Sequence, residues 1–342
     1  REQCTESKMA LFGDLGDLNQ DDAPTRAYLL RWIGHMVQHY ALDGLRLDTA
    51  LYMKKPFLRA FQDAAGVLML GELVMDNHVF HRSFVRPRGP LSSALNFPLA
   101  NHLKRIFSRA GSLTDLRALL DTQDRMQYPA HGALLGNCVD NHDSARFLFN
   151  HSDEGAAGSL AQLQNALTFV MLWQGLPIVW QGTEQVAVSN ASDTRTSMWG
   201  AAGSYGETAL TRFVGGLNRL RAAHGLGFGG ANAMAPGRVV SATRDALVFV
   251  RGGLMVQLNN NGGGGGGVHC MMLEDLPVAW RAVEPRGPLL LERVVWSSGT
   301  ATGATTGATL LGSRLCVPRG EAGGGPVVFR LVALSDRTQT RG

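Results

Sequence analysis

Gly44-Leu45-Arg46-Leu47-Asp48 is the stretch on which the reading of the fold turns. On a strand, alternate side chains share a face, so Leu45 and Leu47 point one way and Arg46 and Asp48 the other. The leucines suit a covering layer of helices. The Arg46–Asp48 pair leaves the strand with a charged end. An arginine beside a carboxylate favours the ionised form, and an ionised, positioned carboxylate is what a nucleophile requires. A structural ion pair at a strand end fits the segment equally well.

Working outward, the pattern repeats. Asp21, Asp22 and Pro24 mark a helix start, with a cap and then proline in the first turn. Leu29, Trp32, Ile33, Met36, Val37 and Tyr40 follow at helical spacing and are expected on one apolar face. Residues 56–65 read as a helix. The apolar run 67–70 reads as a buried strand ending at Gly71-Glu72. The run 133–139 reads the same way and ends in Asp140-Asn141-His142-Asp143. Residues 160–173 form an apolar-faced helix, and 178–180 a strand opened by Gly175 and Pro177. Residues 207–223 form a helix with Leu210, Phe213, Val214, Leu217 and Leu220 on one face.

Strands that alternate with helices pair in parallel and are covered by those helices. Short strands that end in polar, reactive groups are the habit of a (β/α)8 barrel. An open doubly wound sheet fits the pattern too, although no GxGxxG follows an early strand. From about 226 the grammar changes to short β-type runs with glycine-rich breaks, at 238–240, 246–250, 254–258, 289–295 and 327–332. The expected organisation is therefore an α/β catalytic domain over 1–225 and an all-β sandwich over 226–342. Gly262–Gly267, a six-glycine run, reads as a hairpin loop. Trp280 and Trp296, the tryptophans of this last part, read as core residues.

Composition sets the outer bounds. At 342 residues, two domains are expected. Hydrophobic residues make up 45% and charged residues 18%, the balance of a globular protein. No apolar run reaches the roughly 18 residues that span a bilayer, so no membrane partner is expected. A net charge of +4 without a Lys/Arg-rich block gives no footprint for nucleic acid. Cys4, Cys138, Cys270 and Cys316 form no CxxC pair, which argues against a zinc site.

Glu72 differs from Asp48 in its surroundings. Four apolar residues and a glycine precede it, so burial with little local charge should raise its pKa and suit it to act as a general acid. A helix-capping glutamate is the plainer alternative. Two carboxylates whose environments push their pKa values apart are the pair that cleaves glycosidic bonds. Asp140-Asn141-His142-Asp143 gathers further groups at one strand end, for a metal or a substrate, or as a solvated turn.

Taken together, these segments resemble the α-amylase family, glycoside hydrolase family thirteen, and most of all its fungal-type members. Gly44–Asp48 resembles the family's fourth-strand motif, Gly71-Glu72 the fifth, Leu95-Asn96-Phe97-Pro98 the sixth, Val139–Asp143 the seventh and Gly175–Gln185 the segment of the eighth. Five motifs in order cover roughly 1–225. The resemblance implies a partial barrel of strands four to eight, with Asp48 as nucleophile, Glu72 as acid/base and Asp143 as the stabiliser of the oxocarbenium-like state. Arg46 would orient Asp48, His142 would bind sugar at the cleaved bond, and Arg195, before Trp199, would bind substrate too. It also implies a structural calcium held by Glu2, Asp17 and the main-chain carbonyl of Tyr52.

The resemblance further implies retaining endo-hydrolysis of α-1,4-glucosidic bonds in starch-like glucans, by a monomer of a usually secreted kind. Two departures stand out. The third-strand motif is absent, so the chain is expected to be the C-terminal part of a longer protein. Leu51-Tyr52 stands where the fungal type has Lys-His, which removes an ammonium from the leaving-group side. The alternatives are an inactive, truncated glucan-binding remnant, or a family member with transglycosylase or branching specificity.

Overall fold

In the computed structural model, residues 18–108, 110–128, 132–150, 156–187, 195, 206–260, 268–275, 290–295, 305–307, 309–311, 314–318 and 326–331 are described. Glu2, Cys4, Asp17, Trp199, the 262–267 glycines, Trp280 and Trp296 lie outside these. Contacts divide the chain into two compact units, Arg1–Asn101 with Thr122–Asn137, and His102–Asp121 with Cys138–Gly342.

In the first unit, α1 (Ala23–Tyr40) starts as its sequence demands. Asp22 accepts the Thr25 N–H at 3.0 Å, with proline in the first turn. Its buried stripe is narrower than the spacing suggested. Ile33 is buried, and Leu29, Leu30 and Val37 pack partly against the core. Trp32 and Tyr40 are exposed, a correction to the expected face. Trp32 lies about 100° around the helix from Ile33, off the buried stripe, whereas Tyr40 lies on the stripe's azimuth but is the last residue of α1.

After α1 comes β1 (Gly44–Leu47), then α2 (Lys55–Ala65), which buries Phe57, Leu58, Phe61 and Ala65 at helical spacing. β2 (Leu68–Gly71) pairs with β1 in parallel, Leu45 opposite Met69 and Leu47 opposite Gly71. Then α3 (His78–Arg82) leads to β3 (Ser93–Ala94), which pairs with β2 in parallel, Gly71 opposite Ala94. One core runs under these strands through Leu58, Met69, Leu73 and Leu91, all fully buried. Each such side chain contributes about 1.5–3 kcal/mol by leaving water. α4 (Phe97–Ile106), α5 (Leu113–Met126) and β4 (Gly136–Cys138) follow, and a parallel bridge joins Leu95 to Gly136. Thus the strand expected over 133–139 is confined to three residues.

The second unit contains α6 (Phe147–Asn150), α7 (Ala156–Leu172), β5 (Leu176–Ile178) and α8 (Ala209–Ala223). From Ala161 to Trp173 every residue is buried, the polar Gln162, Gln164, Asn165 and Thr168 included, so α7 is enclosed on all sides. β5 begins two residues earlier than expected, with Pro177 inside it. Leu210, Phe213 and Leu217 form the buried face of α8.

Beyond α8 and the turns that follow it to 237, the described regular elements are strands and one 3-10 turn at Leu273–Asp275. The strands are β6 (Arg238–Ala242), β7 (Ala246–Arg251), β8 (Leu254–Asn259), β9 (Val268–Met272), β10 (Leu290–Val295), β11 (Thr305–Gly307), β12 (Thr309–Leu311), β13 (Arg314–Pro318) and β14 (Val327–Leu331). They form a six-stranded sheet, β11-β10-β14-β8-β7-β6, and a three-stranded one, β12-β13-β9. β8 and β9 belong to different sheets. Cys270 is disulfide-bonded, and Cys316 stands opposite it in the β9–β13 register.

Arginines fasten these strands to α7. Buried Arg251 donates to the carbonyls of Leu172, Trp173, Ala233 and Ala235. Arg221 donates to Met171 and Leu226. These pairs satisfy the carbonyls that a helix C-terminus leaves without partners. Asn259 N–H meets Asn165 Oδ1 at 2.8 Å.

Candidate active site

The β1–β2 register fixes the carboxylate pair. Leu47 is opposite Gly71, so Asp48 and Glu72 are the first residues beyond matching ends of adjacent parallel strands. Glu72 N–H continues the ladder to Leu47 O at 2.8 Å. Neighbouring strands lie about 4.8 Å apart, which brings the two side chains within reach of one cation. Arg46 is that cation. Its Nη1 donates to Asp48 Oδ1 at 2.8 Å, and its Nη2 pairs with Glu72 Oε1.

The two carboxyls differ in exposure. The Asp48 side chain is 68% exposed and that of Glu72 only 7%. Burial is the largest influence on Glu72 and pushes its pKa up, and the side-chain hydrogen bond to Asp48 adds to this. The Thr49 N–H and Arg46 pull it down less strongly. The expected raised pKa is therefore found, but the expectation of little local charge is corrected. Arg46 reaches Glu72 because the parallel register aligns them.

Thr49 was not anticipated. Its φ of 48° is left-handed, which is strained for a β-branched residue. That turn aims its N–H at Glu72 Oε2, 3.0 Å away. Leu51 packs partly against the core, so the position where the fungal type has lysine faces inward. Behind the strand ends, buried His81 contacts Tyr128 Oη at 2.6 Å and Leu95 O at 2.9 Å, and burial lowers its pKa to about 4.

The second unit holds the other expected group. Asp140 is buried, and accepts the Phe147 N–H at 2.7 Å and the Thr183 hydroxyl at 3.1 Å. Lys104 Nζ lies 3.5 Å from Asp140 Oδ1 and 3.3 Å from Ser144 Oγ, and also donates to Ala145 O. Lys104 therefore grips both ends of the loop that displays Asn141, His142 and Asp143. Arg146, fully buried, donates to Gln181 O at 2.8 Å. Only Asp140 of the four loop residues is buried, which corrects the expectation that several polar groups are buried at this strand end.

Asp143 is half-exposed and well held. Its N–H donates to Asn141 Oδ1 at 2.8 Å, an Asx turn. Arg195 Nη2 donates to Asp143 Oδ1 at 2.7 Å, and His142 Nε2 lies 3.1 Å from Oδ2. The His142 ring lies 5.7 Å from that of Trp180. So Arg195, expected to bind substrate, pairs here with Asp143.

Lys104 carried a weak signal, since it lies four residues after buried Ala100 on an otherwise apolar helical row. Of the three residues expected to hold calcium, Glu2 and Asp17 lie outside the described residues. Tyr52 ends a short 3-10 turn, Ala50–Tyr52, and a main-chain carbonyl there is the hard oxygen donor that calcium takes. Among the described residues, no group of three or more His, Cys, Asp or Glu forms a metal cluster. No helix among them is long and apolar enough to cross a membrane.

Comparison with known proteins places these groups in a family. Residues 9–202 match the model "Alpha amylase, catalytic domain". Alpha-amylase 2 of Schwanniomyces occidentalis is 28% identical over 223 residues, 64% of this chain and 41% of that protein. The Beta/alpha-amylase of Paenibacillus polymyxa is 34% identical over 173 residues, 50% of this chain and 14% of that protein. The solved structure of an α-amylase from Malbranchea cinnamomea superposes with a TM-score of 0.76 at 25% identity, covering 95% of this chain and 63% of that one. The chain thus shares a fold with α-amylases and spans less than half the length of these curated relatives.

Proposed function

The chain belongs to the α-amylase family, and from that premise we propose that it is a retaining endo-hydrolase of α-1,4-glucosidic bonds in starch-like glucans. One observation carries the reading. Asp48 and Glu72 stand at matching ends of parallel strands, share Arg46, and differ sharply in burial. That is an acid and a nucleophile on neighbouring strand ends, the arrangement on which a retaining mechanism relies.

Asp48 attacks the anomeric carbon while Glu72 gives its proton to the leaving glycosidic oxygen. A covalent glycosyl-enzyme and a shortened glucan result. Glu72 then takes a proton from water, whose oxygen attacks the same carbon and frees Asp48. Arg46 holds Asp48 through an ion pair at 2.8 Å. The family resemblance gives Asp143 the role of stabilising the oxocarbenium-like state, and gives His142 and Arg195 contacts to sugar.

The same reading treats 1–225 as a partial barrel of strands four to eight and 226–342 as a β-sandwich. It assigns a structural calcium to Glu2, Asp17 and the Tyr52 carbonyl, which would brace the loop after Asp48. Calcium content by atomic emission, before and after chelation, tests that assignment. A monomeric, secreted protein is part of the proposal, and the Cys270 disulfide supports an oxidising compartment. Hydrolysis of a blocked maltoheptaoside by this chain, beside an Asp48→Asn control, tests the function. Activity lost in the control supports it; activity unchanged in the control, or no turnover by the folded chain, overturns it.

A further inference from the structure

Helix α1 carries His35 and His39, four residues apart, so both rings leave the same side of the helix one turn from each other. Both residues are exposed. Their ring centroids are 5.2 Å apart and their planes differ by 21°. Tyr40 packs edge-on against the His39 ring at 4.7 Å. Among the described residues no hydrogen bond engages either ring.

We propose that His35 and His39 form a chelating site for one divalent transition-metal ion of the zinc, copper or nickel class. Two imidazole nitrogens bound to one tetrahedral ion at about 2.0–2.1 Å place their ring centres about 5 Å apart, so the two stacked rings keep their separation and rotate about their side-chain bonds until one nitrogen of each meets the ion. Neutral imidazole suits zinc, copper and nickel, whereas calcium and magnesium require oxygen. No third His, Cys, Asp or Glu joins the pair among the described residues, so water completes the coordination. Arg31, exposed one turn earlier, works against the ion's charge and keeps the affinity moderate. The bound ion ties together the last two turns of the helix that leads into β1, whose end carries Asp48. It stabilises that helix by mass action, because the unfolded chain does not hold the two rings together. This site does not depend on the glycosidase reading.

The test is calorimetric titration of the 342-residue chain with zinc and, separately, copper ions. The buffer is held at about pH 7.5, above the ordinary imidazole pKa of about 6.5. One ion binds, with a dissociation constant on the order of 10 µM. His35→Ala and His39→Ala each weaken it roughly tenfold or more, while His102→Ala does not. Alanine favours helix more than histidine does, so neither variant threatens α1. The copper-loaded chain shows two nitrogen ligands by electron paramagnetic resonance, and one in either variant. Binding that persists undiminished in the His35→Ala, His39→Ala double variant overturns the proposal. So does a wild-type chain that binds neither metal below about 1 mM.

Discussion

Arg46 Nη2 pairs with Glu72 Oε1 across the β1–β2 register, while its Nη1 holds Asp48 at 2.8 Å. One guanidinium thus serves two carboxyls that must do opposite jobs. Burial separates them: Glu72 is enclosed and its pKa rises, while Asp48 stands mostly in water. The guanidinium shared between them restrains the rise at Glu72.

The Glu72 carboxyl should titrate above the ordinary carboxylate range. Carbon-13 NMR of the side chain reads this directly. Its folded pKa is raised, so the native state binds this proton more tightly than the unfolded chain does. The associated stability is full below the unfolded pKa and is lost as pH rises through the folded one. Arg46→Met removes an influence that lowers the pKa, so the Glu72 titration should move further up. A downward move would contradict the assignment.

Thr49→Gly should stabilise the fold by about 1 kcal/mol, since glycine adopts a φ of 48° without strain. The main-chain N–H to Glu72 survives the change. A shift of the urea midpoint to higher concentration at unchanged slope is the expected result.

His81 should make the fold acid-sensitive. Its folded pKa, about 4, lies below the ordinary value of 6.5. Its contribution is full above the unfolded pKa and is lost as pH falls through 6.5 towards 4. Stability against urea at a series of pH values should decline over that window by at most about 1.4 kcal/mol per pH unit from this group. His81→Gln should flatten that part of the curve.

Lys104→Met keeps the length of the side chain and removes its three contacts to the Asp140–Ala145 loop. A loss of about 2–3 kcal/mol is expected, because buried Asp140 loses a cation. Amide exchange at Asn141–Asp143 should quicken more than that in β7. Equal changes everywhere would mean that Lys104 serves packing alone.

Much of this was legible from local chemistry. Asp48 stood out because it ends a strand whose leucines alternate with Arg46, and Glu72 because it closes an apolar run, from which its raised pKa followed. What escaped depends on register or backbone geometry. Arg46 meets Glu72 because β1 and β2 align residues 26 apart in sequence. Cys270 faces Cys316 for the same kind of reason. The left-handed turn at Thr49 is invisible in a β-branched residue, whose propensity argues against it. The spacing of Trp32 and Tyr40 fitted a helical face, but spacing shows neither how wide the covered stripe is, which excludes Trp32, nor that the helix ends at Tyr40.

The measurement that tests the central claim most directly is the anomeric form of the product first released from maltoheptaose, followed by proton NMR. The shared-arginine carboxylate pair predicts α-configured product at first, with mutarotation to the β form only later, and no product from Glu72→Gln or Asp48→Asn. β-Configured product at the outset, or hydrolysis that survives both substitutions, would contradict it.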